Sequence, residues 1–198
     1  MTFIGTVVSS GEDCVAFIVI SLVIIAAFFF VVIFNGLVQM RNNVDKAWAN
    51  IDVLLKKRLD LIPELVAIVS GYVKYEQGVL VEITKIRASA LQAQNIAEKA
   101  EGSRAVSESL KPVFALAENY SDLKASENFL NLQKELTTIE NEISLRREFY
   151  NDTVMLYNTK LQTIPSRFIA DMLRLCPKEY FNVKEPVDKL VDISIRTG

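Results

Sequence analysis

The stretch VAFIVISLVIIAAFFFVVIF, Val15 to Phe34, is an unbroken apolar run of 20 residues whose only polar side chain is Ser21. A helix rises ~1.5 Å per residue, so the run spans ~30 Å, the thickness of a bilayer's hydrocarbon core. No charge lies between Asp13 and Arg41. A core helix of a folded domain rarely stays apolar on every face for this length, so the run predicts a transmembrane helix. A cleaved signal would carry a basic start, a shorter apolar stretch and a small-x-small cleavage site. The first 14 residues, MTFIGTVVSSGEDC, contain no Lys or Arg, and the run ends at Phe34-Asn35-Gly36. Residues 1–14 therefore read as a short tail on a segment that stays attached. Gly-Glu-Asp before Cys14 lacks the small and apolar residues of a lipid-attachment site, so Cys14 reads as a residue at the membrane edge.

Orientation follows from Lys and Arg near the ends of the span. The N-terminal flank has none, while Arg41 and Lys46 follow the span closely, with Lys56, Lys57 and Arg58 beyond. The expectation is a single-pass protein of the cell (plasma or inner) membrane, its N-terminus outside and its domain cytoplasmic. Of the 24 acids, Glu12 and Asp13 precede the run, which leaves the remainder balanced against 22 bases. A balanced domain lacks the basic face that displaces counterions from nucleic acid, so no nucleic-acid partner is expected. Two cysteines far apart offer no disulfide framework, and the absence of His removes the usual general base and zinc ligand.

Outward from the run, the chain reads as helix. Leu37, Met40, Val44, Trp48, Ile51, Leu55, Arg58, Ile62, Leu65, Val69 and Tyr72 follow gaps of three and four, one stripe along a helix. Phe129, Leu132, Leu136, Ile139, Ile143, Arg147, Tyr150, Val154, Tyr157, Leu161 and Ile164 form a second. An extra step of four at Ile143–Arg147 breaks the strict coiled coil alternation, which suits a nearly straight bundle helix. Weaker helical stretches cover about Glu76 to Ala100 and Arg104 to Tyr120, with Glu101-Gly102-Ser103 expected as the break between them. Pro112 should kink or restart its helix, and Asp60 could cap a new helix with Pro63 in its first turn. Long helices with short links must cover one another's stripes, which predicts an all-α fold: a transmembrane helix followed by an antiparallel bundle over 35–175. Pro165, Pro177 and Pro186 punctuate short pieces, and Val187 to Ile195 alternates, so 176–198 is expected as an irregular or extended tail packed along the bundle or carrying an interaction.

Residues 34–76, FNGLVQMRNNVDKAWANIDVLLKKRLDLIPELVAIVSGYVKYE, resemble the opening signature of the LemA family. The matching positions include Asn35, Leu37, Val38, Arg41, Asn42, Val44, Ala47, Trp48, Ile51, Asp52, Arg58, Asp60 and Leu61-Ile62-Pro63, followed by Gly71-Tyr72 and Glu76. Tyr120, Leu123-Lys124-Ala125, Glu140, Arg147, Tyr150-Asn151, Tyr157-Asn158 and Pro165 resemble the family's C-terminal helix. Departures are Glu64 where Asn is usual, Tyr75 where His is usual and Ser121 where Pro is usual. The resemblance covers roughly residues 34–182 and implies a bundle of long antiparallel helices in a bacterial or archaeal host. It also implies an association with membrane metalloproteases of the HtpX type, and a magnetosome relative suggests a role in organising membrane.

Asp52, Arg58, Asp60, Glu140 and Arg147 are candidates for a charged network between the two long helices. An arginine inside an apolar stripe must find partners, because an unpaired buried charge is expensive. The preferred reading is a device that sets bundle register; the sharper one is a binding or proton-handling site. Glu76, Glu82, Glu140 and Glu142 suggest carboxylate metal ligation, but di-iron bundles pair Glu with His, so no metal and no cofactor are expected. Trp48, Tyr72, Tyr150 and Tyr157 fall on the stripes and are expected in the core. Asn151 and Asn158, seven apart, either hydrogen-bond across the bundle or face a partner. Cys176 is expected to be packed rather than reactive. No nucleophile with a base and no phosphate-cradling loop is present, so neither an enzyme nor a small-molecule substrate is expected. The expected function is a membrane-anchored scaffold or adaptor for other membrane proteins, with a self-associating protein that shapes or organises membrane as the alternative.

Overall fold

The computed structural model describes residues 3–73 and 75–182, with side chains from Val15 onward. The expected extended stretch Val187–Ile195 and the side chain of Cys14 lie outside the described residues. The fold is all-α, with no strand among the described residues: α1 (Phe3–Ser70), α2 (Gln77–Gln92), α3 (Ile96–Ala117), α4 (Ser121–Lys124), α5 (Glu127–Gln162) and α6 (Ser166–Met172).

Helix α1 continues through the apolar run, Gly36 and Pro63, so the expected restart at Asp60 does not occur and Asp60 is exposed inside the helix. The reason lies in α2. Pro63 has no N–H, which strips the carbonyl of Leu59 of its helical donor. Arg87 Nε donates to that carbonyl at 2.7 Å and replaces the missing bond. The helix ends at Ser70, two residues before Tyr72. Tyr72 therefore leaves the stripe and is exposed, while Val73 turns inward.

The described chain divides into two compact units, Met1–Asp45 with Met155–Lys178 and Lys46–Val154 with Glu179–Gly198. In the second unit, Ile62, Leu65 and Val69 of α1 share one core with Ile83 of α2, Val106 and Val113 of α3, Leu123 of α4 and Phe129 and Leu136 of α5. Here α1 and α5 run antiparallel: Trp48 meets Tyr150, while Lys57 pairs with Glu135 at 2.8 Å. The break expected at Glu101–Ser103 falls earlier, at Ala93–Asn95. Asn95 caps α3 by accepting the Glu98 N–H at 2.8 Å, and the Glu98 carboxylate accepts from the Gln94 N–H at 2.8 Å. This reciprocal cap satisfies donors that a helix start leaves open. Gly102 sits inside α3, where a Cβ would come within 3.2 Å of Ala90. Its missing side chain lets α2 and α3 approach rather than breaking the helix. Pro112 likewise lies within α3.

In the first unit, Leu37 and Val44 of α1 are buried, as are Tyr157 and Leu161 of α5 and Ile169 and Ala170 of α6. By contrast, side chains from Val15 to Val32 are exposed on every face, so the helix is a candidate membrane span. Helix α6 closes on Arg174, whose φ of 51° is left-handed, and the Leu175 N–H returns to the Ala170 carbonyl at 3.0 Å. Cys176 follows and is exposed rather than packed.

Arg87→Ala is expected to destabilise the full chain by about 1–3 kcal/mol, the cost of an orphaned buried carbonyl. In a Pro63→Ala background most of that loss should vanish, because position 63 regains an N–H for Leu59. Denaturant unfolding of the four combinations measures this coupling. A second expectation concerns pH. The backbone hydrogen bond from Gln94 holds the Glu98 carboxyl below its usual value of 4.5. A depressed value means that its contribution is present above pH 4.5 and is lost as pH falls through the lower folded value. The pH dependence of Tm in that range should flatten in Glu98→Gln.

Candidate functional site

The centre of the second unit is a charge. Arg58 projects from the apolar stripe of α1 and is only 1% exposed. Its Nη2 donates to the Ser103 carbonyl at 2.9 Å and to Ser103 Oγ at 2.7 Å. Its Nη1 donates to Ser107 Oγ at 2.9 Å and to the Glu140 carboxylate. Ser107 Oγ in turn donates to Glu140 Oε1 at 2.8 Å. One guanidinium thus joins α1, α3 and α5. Burial pushes the Arg58 guanidinium down from its usual value, and Glu140 opposes that shift. Arg58 Nε has no partner among the described residues.

Asp52, also on α1, pairs with Lys99 of α3, and the Lys99 ammonium lies 5.6 Å from the centre of the Trp48 ring. Trp48 is half-buried between Tyr150 and Phe181, with both ring centres at 5.6 Å. The Tyr150 hydroxyl donates to the Glu179 carbonyl at 2.7 Å. Asn151 pairs like a strand edge with the chain beyond α6: its Oδ1 accepts from the Phe181 N–H at 2.9 Å, and its Nδ2 donates to Asn182 Oδ1 at 3.2 Å. Glu76, between α1 and α2, accepts from the Tyr120 hydroxyl at 2.7 Å, and this bond pushes the Tyr120 phenol above its usual value.

In the first unit, Asn158 makes the same kind of pairing with Lys178, accepting its N–H and donating to its carbonyl, both at 2.9 Å. Lys178 also pairs with Asp45 at 2.7 Å. Burial raises the Tyr157 phenol, while Arg41 lowers it and Asp45 raises it. Arg41 and Asn42 themselves are exposed on α1.

The candidates therefore separate. The structure brings Arg58 and Glu140 together and places Asp52 on a neighbouring pair with Lys99. It leaves Asp60 and Arg147 out of the network. Arg147 is exposed on the wall of a polar groove of about 920 Å³, which Arg104, Lys111, Glu108, Glu148 and Asp152 also line. Helical phase does not set Arg147 apart, since it lies ~20° around the helix from buried Val154, seven residues on. Asn151 and Asn158 bind backbone of their own chain. Sequence reasoning missed Ser103, Ser107, Lys99 and Arg87. The available signal was Ser103 and Ser107, two hydroxyls one turn apart beside Val106 on an otherwise apolar face.

A smaller cavity of about 170 Å³ lies beside the clamp, lined by Arg58, Leu55, Leu59, Ala90, Lys99 and Ser103 among others. Among the described residues no three His, Cys, Asp or Glu side chains gather as a metal site. Both terminal nitrogens of Arg58 are engaged by α3 and α5, which suits it to holding helices in register.

This architecture defines a helical-bundle protein whose first helix carries a candidate membrane span. Residues 47–194 match the LemA family, and the chain belongs to that family. It is also similar to Protein LemA of Metamycoplasma hominis, at 24% identity over 181 residues, covering 90% of this chain and 83% of that protein.

Glu140→Gln leaves the buried guanidinium without its counter-charge and is expected to cost on the order of 3 kcal/mol. Arg58→Met should cost less, because Glu140, with its side chain 45% exposed, can hydrate once released. Arg147→Met should stay within about 0.5 kcal/mol. Denaturant unfolding of the three variants ranks them.

Proposed function

We propose that this chain is a non-enzymatic, membrane-anchored scaffold or adaptor that presents its helical bundle to other membrane proteins. The observation that carries the reading is the apolar stretch Val15–Val32, exposed on all sides, in the same helix that supplies the core stripe of the bundle. Burying such side chains in lipid is worth about 1.5–3 kcal/mol each, far more than a tether needs. The charges at the bundle centre, Arg58 with Glu140 and Asp52 with Lys99, are spent on one another, which leaves recognition to exposed faces. One such face is the polar groove of Arg104, Lys111 and Arg147 with Glu108, Glu148 and Asp152, where charge complementarity can select a partner. A membrane metalloprotease of the HtpX type is one concrete partner. The span sits in the cell membrane with the N-terminus outside and the bundle cytoplasmic, following the basic residues that come after the run.

The alternative, a self-associating protein that organises membrane, draws support from Leu145 and Phe149. They lie one turn apart on α5 and are 66% and 57% exposed.

Crosslinking in intact membranes, followed by purification and mass spectrometry, separates the two readings. The adaptor predicts one reproducible membrane-protein partner, lost when Arg147 and Lys111 are both replaced by Glu. Recovery of the chain alone in defined oligomers, broken by Phe149→Glu, would support self-association. A reporter fused after Gly198 and active only on the outer side would reverse the orientation.

A further inference from the structure

Helix α6 has two faces. Ser166, Ile169 and Ala170 are buried, while Phe168 and Met172, four apart, are 68% and 61% exposed. Ile164, one turn before Phe168, is 75% exposed and continues the ridge. Three large apolar side chains in a row are a poor surface to leave in water, and isolated exposure does not account for a periodic one.

Position on the first unit says what covers them. Lys178 bonds both Asn158 of α5, at 2.9 Å, and Asp45 of α1, at 2.7 Å, so the two helices meet there. Tyr157 of α5 faces the stretch of α1 that holds Arg41 and Asp45. One turn later on α5 Leu161 is buried, and one turn earlier on α1 Leu37 is buried. Going forward along α5 therefore means going back along α1, toward the apolar run. The side chains of α1 change from exposed to partly covered at Ile33 and Phe34, where the run ends. The corner between α5 and α6 thus lies at the level where the candidate span leaves its apolar stretch. Arg167 and Arg174 flank the ridge and are exposed; Arg167 is only 3.8 Å from Asp171, a loose surface pair.

We propose that Ile164, Phe168 and Met172 form a lipid-binding foot that rests in the interfacial zone of the bilayer that receives Val15–Phe34. The foot rests on the reading of that run as a membrane span. Amphipathic elements of this kind bury their apolar face ~5–10 Å into the boundary between headgroups and chains, with basic residues among the headgroups. Arg167 and Arg174 supply those cations. The foot fixes the end of α5 against the membrane surface, so the bundle has two attachments rather than one.

The test uses the full chain in phosphatidylcholine vesicles brominated either near the headgroup end of the chains or near their tips. Phe168→Trp, Phe29→Trp and Leu156→Trp are each compared with the wild-type chain, whose single tryptophan is Trp48. All three replaced side chains are exposed, so folding is preserved. Leu156 lies on α5 ~12 Å of helix rise before Ile164 and should stay outside the lipid. The foot predicts that the emission added by Phe168→Trp falls by about half with shallow bromines and little with deep ones, as befits an interfacial depth. Phe29→Trp should respond to deep bromines and Leu156→Trp to neither. Quenching of Phe29→Trp without quenching of Phe168→Trp overturns the foot and leaves the span standing. An unquenched Phe29→Trp overturns the span, and the foot with it. Unquenched but blue-shifted emission from Phe168→Trp that grows with the protein-to-lipid ratio would assign the ridge to a second copy of the chain instead.

Discussion

A buried guanidinium costs several kcal/mol unless acceptors are brought to it, and both terminal nitrogens of Arg58 are met by groups from two other helices. Two serines of α3 and one carboxylate of α5 converge on it. Apolar stripes alone tolerate sliding by a turn, since Leu, Ile and Val are nearly interchangeable in a bundle core. The clamp does not, because a shift of one turn would move Ser103, Ser107 and Glu140 away from a charge that is only 1% exposed. It therefore selects one alignment of α1, α3 and α5 in the second unit. Glu140 keeps its outer side in solvent, so the pair avoids full desolvation of both ions.

Around this point the second unit solves two local problems by exchange between helices. Pro63 would orphan a carbonyl in the middle of α1, and Arg87 reaches from α2 to satisfy it. Gly102 removes a side chain from α3 where Ala90 of α2 comes close. In both cases a residue that weakens its own helix gains its meaning from a neighbour. That is why α1 continues where its sequence suggests a restart, and α3 continues where its sequence suggests a break.

The chain beyond α6 is held by a different device. Primary amides on α5 mimic the edge of a strand: each offers one donor and one acceptor to an extended backbone. Asn158 does this for Lys178 in the first unit, and Asn151 does it for Phe181 in the second. Phe181 is thereby seated against Trp48. The segment needs no regular structure of its own, because α5 supplies the hydrogen bonds that a sheet would otherwise provide.

The sequence by itself determined the helical class, the length of the apolar run, and the stripes that build the core. These are local properties: a period of 3.6 and ~20 apolar residues can be read without knowing any neighbour. It also determined that Arg58 must have partners, since burial of a charge is costly whatever surrounds it. Only the tertiary structure decided which partners those are, because Ser103, Ser107 and Glu140 lie 45, 49 and 82 residues away and carry no mark of their shared position. It also decided that Arg147, written into the same kind of stripe, turns out to solvent, and that Tyr72 falls past the helix end. The roles of Pro63 and Gly102 were hidden for the same reason. Each is a breaker by local propensity, and packing against α2 overrides that propensity at both sites.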